Sequence, residues 1–375
     1  MSIHTRVLRS CGLLPDQTVT KLSGQWQDYF VPVNDSNSND EAVESGEFGD
    51  VRRVKMRTLS ADSNSQKLYA IKTFRQGLQK NDRKRLQMIL SLNQAYENDA
   101  QASGRQQWPE SLVRHIGLYK FDTQPRYALL MNDIDGLSLH TMIEQQRRAP
   151  LQQWVCWLRD ISEGLAFLHR NNIAHRDVHS GNIMISRGGR TAHLVDLELM
   201  CAPLLTQLDC RTLCQDIAAA KSTAPDVWCA AQARNAEPLQ FFASDIWALA
   251  STFVGYMYQQ DALLTSRLPY TKRGPNDCVP IKGSIIDKIV QLLLNFVFKR
   301  GELRLQPKVQ TTLQSMLASD WRDRPTAQQV QSDLLLACAT DRDSMKMPQR
   351  GKDLQEKLPT ADKENQNSQM PVYLE

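Results

Sequence analysis

One segment restricts the folds open to this chain more than any other: His175-Arg176-Asp177-Val178-His179-Ser180-Gly181-Asn182, followed by Leu194-Val195-Asp196. Just upstream, Leu158, Ile161, Leu165 and Leu168 recur at helical spacing. Just downstream, Ile183-Met184-Ile185 and Ala192-His193-Leu194-Val195 read as two short strands around an Arg187-Gly188-Gly189-Arg190 turn. The pattern predicts a helix, a loop bearing Asp177, and a hairpin that ends at Asp196. Two carboxylates and one amide oxygen then meet at one place. Phosphoryl transfer from ATP needs such a set: an acceptor-only carboxylate beside the attacking hydroxyl, and oxygen donors that hold magnesium against the phosphates.

The order and spacing resemble the catalytic loop of protein kinases, where an Asp is followed after four residues by an Asn and the metal-binding Asp sits on the next hairpin. The resemblance extends over roughly residues 40 to 336. Gly46-Glu47-Phe48-Gly49-Asp50-Val51 resembles the end of the glycine-rich loop, whose bare backbone N–H groups close over phosphates. Tyr69-Ala70-Ile71-Lys72 is similar to the strand whose lysine contacts the phosphates and pairs with a helix glutamate, here assigned to Glu97, with Gln87 or an unpaired lysine as the alternatives. Tyr127 to Ile134 looks like the hinge between lobes, with Met131 at the back of the adenine pocket. Farther on, Ala224-Pro225-Asp226 resembles the motif that closes the activation segment, Ser244-Asp245-Ile246-Trp247 the start of the central helix, and Asp323-Arg324-Pro325 a later loop. Asp226 and Arg324 are expected to form a buried ion pair.

The fold so implied is α+β and two-lobed, with a small β-rich N-lobe over about 40–131 and a larger, mainly helical C-lobe over about 135–338. Residues 1–39 read as an N-terminal extension and 339–375 as a disordered polar tail. ATP and magnesium are the implied cofactors and a protein hydroxyl the implied acceptor. Catalysis falls to Asp177, Lys72 and Asn182, metal binding to Asn182 and Asp196, and nucleotide binding to Gly46, Gly49, Val51, Ala70, Lys72 and Met131. His175, Arg176, Asp226, Asp245, Arg324 and Glu97 take structural or regulatory places.

Four positions depart from the family pattern. Glu44 stands where the first glycine of the loop belongs, and Asp196-Leu197-Glu198 replaces Asp-Phe-Gly, so that Glu198 brings a second carboxylate near the metal. His179 occupies the place of the lysine in serine/threonine kinases, and Ala219 that of their orienting threonine, so the loop looks closer to tyrosine kinases or to the tyrosine-kinase-like serine/threonine enzymes, and the acceptor, serine/threonine or tyrosine, stays open. Arg176 is the type of residue that pairs with a phosphate on the activation segment, with Thr206, Thr212, Ser222 and Thr223 as candidate acceptors. Two other readings compete: a pseudokinase that serves as a binding scaffold, and a small-molecule phosphotransferase, which shares the front of the site but lacks the Asp226/Arg324 set.

Composition bounds the partners. With 45 basic and 41 acidic residues the net charge is only +4, and no dense basic run tracks a nucleic-acid backbone. No apolar signal stretch stands at the N-terminus, and the most apolar segment, 285–298, carries Asp287 and Lys288, so no membrane contact and an intracellular setting are expected. Eight scattered cysteines are expected to be reduced thiols.

Overall fold

A computed structural model describes residues 19–33, 44–45, 49–57, 67–103, 108–204, 214, 224, 226, 237–259, 287–292, 294–295 and 307–342. Residues 1–338 form one unit. A second, 339–375, is described only as far as Arg342. The first is the two-lobed α+β fold that the sequence implies.

Seven strands make the small lobe: β1 (Val19–Leu22), β2 (Phe30–Pro32), β3 (Glu44–Ser45), β4 (Gly49–Met56), β5 (Tyr69–Phe74), β6 (His115–Phe121) and β7 (Tyr127–Asn132). They lie in the order β1-β6-β7-β5-β4-β2, with β3 also on β4. Alternation along β5 divides its side chains between two environments. Ile71 enters an apolar cluster with Trp26, Phe30, Val54, Phe121 and Leu130, whereas Ala70 and Lys72 face the cleft between the lobes. Register then sets Lys72 beside Val51 on one neighbour and Leu129 on the other.

The segment expected as a plain extension is built into this lobe. β1 pairs in parallel with β6, and Trp26 and Phe30 are buried on the outer face of the sheet. Four residues are too short for a period to declare a strand, so sequence patterning passes over β1. The inner face is closed by α1 (Lys80–Ser103), whose Leu86 and Leu90 meet Phe74, Leu118 and Leu129. Its next face, through Ile89, Leu92 and Tyr96, joins the core of the large lobe, where the Tyr96 and Phe167 rings lie 4.7 Å apart.

In the large lobe, α2 (Leu139–Glu144) is capped by the Ser138 hydroxyl, which accepts from the Thr141 N–H. Behind it α3 (Leu151–Arg170) has Leu158, Ile161, Leu165 and Leu168 wholly buried, the stripe read from the sequence. These pack against α4 (Pro238–Tyr258), with Trp154 edge-on to Phe253 at 5.6 Å. Burial of each such side chain contributes about 1.5–3 kcal/mol. Helix α3 ends at Asn171, and Asn172 adopts a left-handed φ of 59° that turns the chain toward the catalytic loop. Strands β8 (Gly136–Ser138), β9 (Ile183–Ser186) and β10 (Ala192–Leu194) form a second sheet, and α5 (Pro307–Met316) and α6 (Ala327–Arg342) complete the described lobe. Residues 287–292 and 294–295 are also helical.

The cysteines correct the sequence reading. Cys156 is joined to Cys338, and Cys201 to Cys214, with Cα–Cα distances of 5.1 and 5.2 Å. Among the described residues no cysteine is free. The first bridge ties α3 to α6 across 182 positions, a proximity that only the fold creates. No described helix is long and apolar enough to cross a membrane. Gly46, Ala219, Thr206, Thr212, Ser222, Thr223 and nearly all of the expected tail lie outside the described residues.

Candidate active site

The cleft between the lobes is lined above by Val51, Ala70 and Lys72, at the back by Met131, and below by Asn182 and Asp196. Gly49 opens β4 so close to β5 that a Cβ would fall 2.1 Å from the Thr73 carbonyl oxygen, which leaves no room for a side chain. At the cleft's edge the Arg53 guanidinium donates to Asp133 at 2.9 Å and Asp135 at 3.1 Å, tying β4 to the turn between lobes. Nothing in the local pattern around Arg53 signals that link, because its partners are some eighty positions away.

Below the cleft the loop that carries Asp177 hangs from one buried carboxylate. Asp245, 1% exposed on α4, accepts from the backbone N–H groups of His175 and Arg176, both at 2.8 Å, and from the His169 ring at 2.9 Å. Arg176 meets it at a left-handed φ of 69°. His175 is fully buried; its Nδ1 accepts from the Asp177 N–H at 3.2 Å, so its Nε2–H donates to the Val195 carbonyl at 3.1 Å. Burial holds its imidazole below its ordinary value, which keeps the ring neutral in that role. The Arg176 guanidinium donates to the Leu199 carbonyl at 3.2 Å and lies over the Phe241 ring.

Asp177 and Asn182 form a closed pair. The Asn182 amide donates to the Asp177 carbonyl at 2.9 Å and to its Oδ2 at 2.8 Å. His179 caps the turn between them: its Nδ1 accepts from the Gly181 N–H at 3.0 Å, leaving Nε2–H directed at Asp177 Oδ2 from 3.6 Å. The second carboxylate oxygen of Asp177, Oδ1, is buried without a hydrogen-bond partner among the described residues. An acceptor so placed is suited to a hydroxyl brought in by a substrate.

Three ionisable groups meet across the cleft. Asp196, at a left-handed φ of 59°, accepts a hydrogen bond at Oδ2 from the Lys72 ammonium at 2.9 Å, and Glu198 Oε1 lies 2.7 Å from the same ammonium, an ion-pair contact outside hydrogen-bond geometry. Burial alone lowers an ammonium, yet the two carboxyls outweigh it and Lys72 is raised. Asp196 is lowered: burial opposes its charge, but Lys72 overcomes that opposition. Burial and the adjacent Asp196 charge push Glu198 up to about 8, against the pull of Lys72.

The partner of Lys72 is therefore not the one read from the sequence. Glu97 lies near the far end of α1, about five turns along it, and forms its ion pair with Arg114. The sequence also gave no sign of His115, 2% exposed at the start of β6, which lines the cleft with neither ring nitrogen hydrogen-bonded among the described residues. Burial lowers it to about 4. Outside the cleft, Arg324 meets Asp226 at 2.5 Å beneath α4, with its guanidinium 5.1 Å over the Trp247 ring.

The donors at the cleft floor are all oxygens: the carboxylates of Asp196 and Glu198 and the side-chain oxygen of Asn182. That chemistry suits a hard cation such as magnesium. Among the described residues no three His, Cys, Asp or Glu side chains close into a metal cage. A cation held here would draw its remaining ligands from phosphate and water, as magnesium ordinarily does.

Residues 38–336 match the protein kinase domain family. Serine/threonine-protein kinase A-Raf from Homo sapiens is 25% identical over 276 residues, 67% of this chain and 43% of A-Raf. Serine/threonine-protein kinase Nek5 from Mus musculus is 37% identical over 78 residues, 20% of this chain and 12% of Nek5. Mitogen-activated protein kinase kinase kinase dlk-1 from Caenorhabditis briggsae is 31% identical over 78 residues, 20% of this chain and 9% of dlk-1. The chain thus spans less than half the length of these relatives.

Proposed function

This chain belongs to the protein kinase domain family, and on that premise we propose that it binds ATP with magnesium in the cleft and transfers the terminal phosphate to a protein hydroxyl. The observation that carries the reading is that Lys72, Asn182 and Asp196 line one cleft, with Asp177 hydrogen-bonded to Asn182 beside it and its Oδ1 without a hydrogen-bond partner among the described residues. Adenine lies between Val51, Ala70 and Met131, and the Lys72 ammonium steadies the phosphates. Asn182 and Asp196 would hold magnesium, which offsets phosphate charge when bound. Asp177 accepts the hydrogen bond of the attacking hydroxyl and fixes its line of approach. Rate enhancement then rests on positioning and charge neutralisation rather than on a covalent intermediate. A serine or threonine acceptor is supported by the names of A-Raf and Nek5 as serine/threonine kinases.

A scaffold without catalysis has one observation in its favour, the capture of Lys72 between two carboxyls. The small-molecule phosphotransferase reading is opposed by the Asp226–Arg324 pair, which those enzymes lack. ADP formation from ATP, magnesium and a serine/threonine peptide library separates the readings. Turnover that Lys72→Met removes supports the enzyme; calorimetric ATP binding without turnover supports the scaffold.

A further inference from the structure

The cleft contains an ion pair that the family resemblance does not anticipate. Lys72 takes both of its carboxyl partners from the single triplet Asp196-Leu197-Glu198, while the helix acid assigned to it faces Arg114. Leu197 is wholly buried in the large-lobe core and fixes the middle of the triplet. The Glu198 N–H donates to Asp196 Oδ1 at 3.2 Å, closing the turn so that both acids reach one ammonium. Glu198 is itself largely buried, its side chain 12% exposed.

We propose that Glu198 is the positioning residue for Lys72, a loop carboxyl in the place of a helix glutamate, and that it holds the ammonium where ATP phosphates are received. The two acids then divide the work. Once Asp196 turns its oxygens to a cation, Glu198 stays as the partner that keeps Lys72 extended across the cleft. The lysine is then set by a loop anchored in the large-lobe core and not by a helix acid.

This inference rests on the ATP reading above, and its test separates the two. Glu198→Met removes the acceptor at similar length, whereas Glu198→Gln keeps an oxygen within reach of Lys72. Calorimetric titration with ATP, in EDTA and again with magnesium, is expected to show binding weakened about tenfold by Glu198→Met in both conditions and changed less than about twofold by Glu198→Gln. Unchanged or tighter binding in Glu198→Met overturns the proposal, because Glu198 then only competes with phosphate. A loss confined to magnesium overturns it in favour of a metal ligand, and equal loss in both variants overturns it in favour of bare charge. If the unaltered protein binds no ATP, the nucleotide reading falls. The positioning claim is then judged by thermal unfolding of Lys72→Met, Glu198→Met and the double variant: strongly non-additive midpoints support the pair, and additive ones overturn it.

Discussion

His115 and Asp177 show how much one unpaired polar atom can signify. At Asp177 a single oxygen is engaged by Asn182 and the other is buried and open, which suits a residue that must receive a hydroxyl. At His115 both nitrogens lack partners among the described residues, and burial lowers the ring to about 4 from an ordinary 6.5. Its folded value lies below its unfolded one, so the unfolded chain takes up the proton first. The neutral ring's contribution is complete above about pH 6.5 and is lost as pH falls toward 4, amounting to about 3 kcal/mol. Denaturant unfolding across that range should show a shallower pH slope for His115→Leu than for the unaltered protein; parallel slopes would refute the assignment. Lys72, Asp177, Asn182 and Asp196 were legible in the sequence because each sits at a fixed offset within a local strand, loop or hairpin. Glu198 as the partner of Lys72 was not, since the two are 126 positions apart and the pairing depends on how α1 and the loop lie in three dimensions.

Elements differ in the same way. The helix–loop–hairpin from α3 to β10 could be read because its apolar period and turn residues agree, and Leu158, Ile161, Leu165 and Leu168 are all fully buried. Strand β1 and the Trp26 segment could not, since four residues carry no period and their partner strand lies about a hundred positions on. That segment should nevertheless be integral to the small lobe. Trp26→Ala is expected to cost about 3–5 kcal/mol, read by chemical denaturation, and a loss below about 1 kcal/mol would make the segment a dispensable cover. Beneath α4, Arg324 has a fully buried side chain paired with Asp226. Asp226→Ala should cost about 3 kcal/mol by leaving that guanidinium without its counter-charge. No change in the denaturation midpoint would mean that the carbonyls of Ala318 and Ser319, which also accept from Arg324, satisfy it alone.

At the scale of the whole molecule, a sheet capped by its own N-terminal segment and a helical lobe anchored by Asp245 enclose one cleft; Lys72 faces it from the sheet, Asn182 and Asp196 from the helical lobe, and Asp177 is bonded to Asn182. The departures from the family pattern that the structure describes are compatible with that arrangement: Glu198 engages Lys72, and His179 closes the turn beside Asp177. The family resemblance made this architecture readable, while the disulfides and the link between Arg53 and the interlobe turn depended on distant contacts. The central claim is that this cleft moves phosphate. Intact-mass analysis after incubation with ATP, magnesium and an excess of a generic protein acceptor tests it most directly, with Asp177→Asn as the control. The account predicts added phosphate mass on the acceptor or on the chain itself in the unaltered protein, and a loss of at least about a hundredfold in rate with Asp177→Asn. Equal labelling in both, or none in either while ATP is bound, would contradict it.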